Sequence, residues 1–211
     1  MAEYLKRTKG WRPSFLGRGA FGVVNLVSNG QEKLVVKLID RLEERSFLRE
    51  ARALSKVSGV DGLQQVEAVV LDHEYFIIIS QFAGASLGVS IEKQQVSPAQ
   101  LEAALDQVCA ALKRMHKAGV THLDLHRDNV CLLLEEERVR ATLIDLGLSR
   151  FEAEQHFEEN KQADRRAYRK LGVEMKAVLE EGPAAEDEGQ RKGKERRKKG
   201  KAKEAKKKLS R

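Results

Sequence analysis

An α+β fold, with strands gathered in the first eighty residues and amphipathic helices dominating the rest, is predicted by three observations. Residues 14–40 and 65–82 hold apolar runs of strand length bounded by Gly, Asn and Asp turn signals. Residues 43–57, between them, show helical spacing instead. Ser97 then opens a long amphipathic stretch with a full set of helix-start residues. With 211 residues, 41% of them hydrophobic, the chain can build one ordinary domain or a small two-lobed one around a real core.

The elements follow in order. "SFLGRGAFGVVNLVS" and "LVVKLID" form a hairpin about Asn29-Gly30, its first strand rich in glycine. "EERSFLREARALSKV" places Phe47, Ala51, Leu54 and Val57 near helical spacing. "QVEAVVLDHEYFIIISQF" gives two strands around Asp72-His73, and "AGASLGVSI" reads as a flexible connection. Ser97-Pro98-Ala99-Gln100 combines a capping serine, proline at the first helical position and glutamine at the capping-box position. Leu101, Leu105, Val108, Leu112 and Met115 then line one face until Gly119 stops the helix. "NVCLLL" and "RATLIDLG" are strand-like around the charged turn "EEER". A last amphipathic helix runs through Tyr168, Leu171, Met175 and Val178, with Asp164 as a candidate start, before Gly182-Pro183.

Net charge is +7, but its distribution matters more than its sum. Arg191 to Arg211 holds 13 basic and 2 acidic residues, net +11, which leaves residues 1–190 at net −4. That last stretch has almost no apolar residue and is expected to be a disordered tail. It suits a nuclear-localisation signal or contact with nucleic acid or another polyanion, against the plainer reading of a solubilising end. "YFIII" falls far short of a membrane span and "MAEYLKRTKG" lacks a signal-peptide core, so no membrane partner is expected and the location is expected to be intracellular, cytoplasmic or nuclear. Cys109 and Cys131 lie in apolar stretches without metal-type spacing and read as buried free thiols.

Several residues suggest chemistry. Gly17-Arg18-Gly19-Ala20-Phe21-Gly22 is a weak signal alone, but strand continues after it where a dinucleotide fingerprint would open a helix. A glycine-rich β-turn can fold over phosphates, since no Cβ keeps its N–H groups away. Lys37 sits in an apolar strand, where a surface-facing lysine is the ordinary reading, unless Glu50 on the next helix meets it. Asp124, Asn129 and Asp145 are oxygen donors reached from a loop and a hairpin, which suits Mg²⁺ on a polyphosphate, although each singly is also a turn or cap residue.

These motifs, in this order, resemble the protein-kinase superfamily from about Ser14 to about Val178. "GRGAFGVV" resembles its glycine-rich loop, "VVK" its lysine strand, "REARAL" its ion-pair helix, "HLDLHRDN" its catalytic loop and "DLG" its metal-binding triplet. The resemblance implies a two-lobed fold: a lead at 1–13, a β-rich N-lobe with hinge at 14–83, a shortened helical C-lobe at 84–181 and the basic tail at 182–211. It implies ATP and Mg²⁺ as cofactors. Lys37 would hold phosphates and pair with Glu50, Asp124 would act as base, and Asn129 and Asp145 would bind the metal. Gly17, Gly19, Ala20, Phe21 and Gly22 would cover the phosphates; Val24, Val35 and the Gln81 to Ala83 backbone would hold adenine, behind Ser80 at the gatekeeper position.

Departures qualify what the resemblance implies. Leu123 stands where an arginine commonly receives an activation-loop phosphate, so activity should not wait for one. Leu146 replaces a phenylalanine conservatively. His126 stands where serine/threonine kinases usually carry a lysine near the γ-phosphate; haspin-like and aminoglycoside-phosphotransferase-like families tend to show "DLH" here instead, as this chain does. Asp164 follows Asp145 by only nineteen positions, with no "APE"-like motif between them. In outline alone the chain resembles the small atypical kinase/ATPases of the tRNA-threonylcarbamoylation complex. The implied activity is phosphotransfer from ATP to a protein Ser or Thr. A small-molecule kinase, or a nucleotide-binding pseudokinase or adaptor whose short lobe a partner completes, stay open as alternatives.

Overall fold

The structure, a computed structural model, describes residues 10–19, 22–136 and 138–181. The lead at 1–9, Ala20, Phe21 and the tail at 182–211 lie outside the described residues. Five antiparallel strands form the N-terminal sheet: β1 (Arg12–Gly19), β2 (Gly22–Ser28), β3 (Lys33–Asp40), β4 (Val66–Leu71) and β5 (Tyr75–Gln81), in the order β1-β2-β3-β5-β4. Helix α1 (Glu44–Lys56) packs on one face. Strand alternation divides the side chains: Ile39, Phe76 and Ile78 meet Phe47 and Leu54 of α1, while Val27, Val36, Leu38, Ile77 and Ile79 form a second cluster opposite. Phe47 stacks on Phe76, ring centroids 4.3 Å apart.

The second lobe begins at β6 (Ala85–Ser86) and α2 (Leu87–Glu92), followed by α3 (Pro98–Lys117), β7 (Val120–Thr121), β8 (Val130–Glu135), β9 (Arg138–Leu143), β10 (Arg150–Phe151) and α4 (Phe157–Glu181). The capping box at Ser97 and Gln100 is formed in both directions, and α3 stops before Gly119, whose φ is +74°. Midway along α3, Gln107 donates to Val139 O (2.9 Å) and accepts from Ala141 N–H (2.8 Å), pinning β9 to the helix. Leu105, Leu112 and Met115 pack with Leu171 and Met175 of α4 in a core that runs on into the N-lobe cluster. The lobes therefore share one core, which the Leu63–Leu143 bridge spans.

Three expectations need correction. "AGASLGVSI" is not a flexible connection: β6 pairs with β8, and Ser86 caps α2 by accepting from Val89 N–H (3.3 Å). Gly84 makes this possible, because at φ +97° a Cβ would run into the Leu132 carbonyl. Helix α4 starts at Phe157 rather than Asp164; its first turns are polar, so apolar periodicity begins late, and Glu158 and Glu159 favour the helix N-terminus through the dipole. Cys109 is half-buried rather than buried, whereas burial pushes the Cys131 thiol up to about 12.

Candidate active site

Strand β3 delivers Lys37 to the cleft face between Val24 on β2 and Ile78 on β5, its paired neighbours. Glu50 reaches down from α1, and both of its carboxylate oxygens lie 2.8–2.9 Å from the Lys37 ammonium. Asp145 Oδ1 is 2.9 Å from the same nitrogen. One cation thus holds two carboxylates. Burial disfavours the Lys37 charge, but Glu50 and Asp145 outweigh it and raise its pKa above the ordinary lysine value. Burial raises Glu50, which is 1% exposed, against the pull of Lys37. Asp145 goes the other way: burial opposes its charge, yet Lys37 wins and depresses the carboxyl. Helix α1 is also anchored by Arg52, stacked 4.1 Å over the Phe151 ring of β10.

Asp124 and its neighbours form a loop with a dry underside. His122 is fully buried; one ring nitrogen accepts from Asp124 N–H (3.3 Å) and the other bonds Ile144 O (3.1 Å), as a neutral ring does. Burial lowers its pKa accordingly. Leu123 adopts φ +64°, a conformation that disfavours residues with a Cβ. Asp164 of α4 holds it there, accepting from His122 N–H (2.9 Å) and Leu123 N–H (2.7 Å) while pairing with His116 Nε2 (2.7 Å). His122 is thereby the packed anchor its position suggests.

The open side carries the candidate chemistry. Asn129 Nδ2 donates to Asp124 O (2.8 Å) and Oδ2 (3.1 Å), leaving its own Oδ1 without a described donor. His126 Nδ1 accepts from Asp128 N–H (3.3 Å), so it caps the loop's last turn, while its Nε2 lies 3.8 Å from Asp124 Oδ2. Asp128 is a turn residue in contact with Ser86 Oγ (3.4 Å). Leu146 is fully buried beneath the triplet.

Of the residues expected to hold a nucleotide, Ala20 and Phe21 lie outside the described residues. Gly22 must be glycine, because β2 runs so close to β3 that a Cβ would collide with the Leu38 carbonyl. Gly17 and Gly19 face open space instead, where a Cβ would meet nothing described within 4 Å. Packing among the described residues thus gives no reason for glycine at either. Val35 is paired with Ser80. Gln81 N–H donates to Gln65 O (3.1 Å) and Phe82 N–H to Lys33 O (3.4 Å), while Ala83 N–H has no described backbone partner. Among the described residues no three His, Cys, Asp or Glu gather as a protein-only metal cage. Asn129 Oδ1 and the Asp145 carboxylate are the hard oxygens that fit a divalent ion completed by phosphate and water.

Sequence reasoning missed Asp164, His116 and Gln64. Gln64 accepts from Asp145 N–H (3.1 Å) and donates to Ser80 Oγ (2.9 Å). Each serves a main-chain group or a side chain far along the chain, so no local motif marked it.

Residues 12–169 match the family described as protein kinase domain. The chain is 27% identical over 143 residues to myosin light chain kinase A of Dictyostelium discoideum, covering 64% of this chain and 48% of that protein. It is 29% identical over 145 residues to the hormonally up-regulated neu tumor-associated kinase of Mus musculus, covering 64% and 20%. Calcium/calmodulin-dependent protein kinase type 1 of Macrobrachium nipponense is 28% identical over 145 residues, covering 65% and 42%. The chain therefore spans a fifth to a half of the length of these relatives. No described helix is long and apolar enough to cross a membrane.

Proposed function

The chain belongs to the protein-kinase family, and from that premise we propose that it moves the γ-phosphate of ATP to a hydroxyl, a protein serine or threonine being the acceptor. The observation that carries this reading is the Lys37 ammonium shared by Glu50 and Asp145 in the cleft. An ammonium so held is fixed where it can meet phosphate oxygens and gives a charge that needs no reorganisation during transfer.

Each residue then has a task. Gly17, Gly19 and Gly22 let the backbone of β1 and β2 approach the phosphates, with Ala20 and Phe21 between them in sequence. Val24 and Val35 cover the adenine ring, and Ala83 N–H with the Gln81 carbonyl bonds its edge. Asp124 orients the acceptor hydroxyl and takes its proton. Asn129 and Asp145 would hold Mg²⁺, which when bound neutralises charge on the phosphates. His126, exposed beside Asp124, donates its Nε2–H to the γ-phosphate while Nδ1 stays bonded to Asp128 N–H. With Leu123 in place of an arginine, activity needs no phosphate on the activation segment.

One observation favours a small-molecule acceptor instead. Between Gly147 and the start of α4 at Phe157 the chain makes only the two-residue β10 and tight turns, which offers little platform for a peptide. Labelled ATP presented with generic protein acceptors and, separately, with hydroxyl-bearing metabolites tests the choice. Label in protein supports the first reading, label in metabolites the second, and label in neither overturns both acceptor classes. The basic stretch at 191–211 is proposed to contact polyanions such as nucleic acid, and RNA binding should fall steeply with salt and disappear on its deletion.

A further inference from the structure

Behind the cleft lies a side chain that none of these roles uses. Gln64 sits in the loop between α1 and β4, where its own N–H donates to Leu143 O (2.9 Å) and Leu143 N–H returns a bond to Gly62 O (2.9 Å). This isolated bridge sets Gln64 beside Leu143, two positions before Asp145. Its side-chain oxygen accepts from Asp145 N–H (3.1 Å), and its nitrogen donates to Ser80 Oγ (2.9 Å). Ser80 is 1% exposed, so water does not compete at that end. Asp145 itself holds φ +61°, a conformation that side-chain-bearing residues rarely adopt without support. Its carboxylate is aimed by that backbone, and Oδ1 is already engaged by Lys37 and by Gly147 N–H (3.4 Å).

An amide meets both demands with separate atoms. It offers an acceptor to a backbone N–H and a donor to a hydroxyl while adding no charge beside Asp145. Methionine has similar reach and volume but supplies neither bond.

We infer that Gln64 is a positioning residue for metal binding: it clamps the Asp145 backbone in its left-handed conformation and ties it to Ser80, so that the Asp145 carboxylate is preset for a divalent cation on bound nucleotide. This rests on the reading of Asp145 as a metal ligand and deepens it. The clamp acts through backbone geometry, so its loss weakens the metal-dependent part of nucleotide binding and spares the rest.

The test is equilibrium binding of a fluorescent, non-hydrolysable ATP analogue to the full chain across a Mg²⁺ titration, with melting temperature measured in parallel. In Gln64→Met the Mg²⁺ concentration at half effect should rise roughly tenfold, the factor equivalent to about 1.4 kcal/mol. Affinity in EDTA should stay within about twofold, as expected for interactions the substitution does not touch. Ser80→Ala, which cuts one end of the clamp and leaves no charge unpaired, should give a smaller shift of the same sign and serves if Gln64→Met does not fold. An unchanged Mg²⁺ midpoint in both variants overturns the clamp, whatever happens to melting temperature, and leaves Gln64 as packing. Wild-type protein that binds the analogue with no Mg²⁺ effect overturns instead the assignment of Asp145 as metal ligand, and the clamp's role with it.

Discussion

The loop from His122 to Asn129 has two sides held by different physics. Beneath it, His122 and Asp164 are fully buried, and every bond they make lies between 2.7 and 3.3 Å. Above it, Asp124 and His126 keep 38% and 48% of their side chains exposed and approach each other only to 3.8 Å. The dry side fixes the backbone, including the strained Leu123, and the wet side leaves the side chains of Asp124 and His126 loosely engaged. A rigid support and an under-committed working face are what positioning for chemistry requires.

The largest effect should come from breaking the support. Asp164→Ala leaves two buried N–H groups and His116 without their partner and should cost about 3–5 kcal/mol of stability, read in denaturant melts. Activity should fall with it, since Leu123 is then free to leave its left-handed conformation. A loss below about 1 kcal/mol, the size of a surface change, would mean the underside is not the scaffold described.

Lys37→Met comes next. From sequence it should harm catalysis more than stability, but the shared ion pair changes that expectation: both Glu50 and Asp145 lose their cation. Glu50, already raised by burial, can then take up a proton, which limits the cost where protons are plentiful. Its folded pKa would rise further above the unfolded value, so the variant's deficit should grow as pH rises from 5 to 8. Melts at several pH values check this, and a deficit that shrinks with rising pH would contradict it. Asp145→Asn, by contrast, should abolish Mg²⁺-dependent turnover while the fold stays largely intact.

In the wild type Lys37 and Asp145, taken by themselves, give a flat region. Lys37 is raised, so its contribution is complete below 10.5 and fades as pH climbs through its folded value. Asp145 is depressed, so its contribution is present above 3.8 and is lost as pH falls through its folded value. These two groups should therefore leave stability level around neutrality. The smallest effect belongs to His126→Ala, worth within about 0.5 kcal/mol of stability for an exposed group. Its signature should be a fall in turnover, since the variant loses one donor to the γ-phosphate.

What could be read in advance follows the same division. Lys37 and Glu50 were legible only together: the strand alone favours a surface-facing lysine, and an acid on the following helix able to meet it is what pointed inward. Asp124, Asn129 and Asp145 stood out by type and order. Asp164, His116 and Gln64 did not, because each serves main-chain groups or a partner 41 to 81 residues away, and main-chain partners leave no trace in side-chain pattern. "AGASLGVSI" misled because its glycines read as flexibility, whereas Gly84 is there for a close approach to β8.

The most direct test of the account is Mg²⁺-dependent ATP turnover by the purified chain beside Asp124→Ala, with ATP binding measured in both. The expected result is turnover in the wild type that drops by about 10²–10⁴ in the variant, the size of a general-base contribution, while both still bind ATP. Equal turnover in the two proteins, or none in a wild type that binds Mg-ATP, would contradict it.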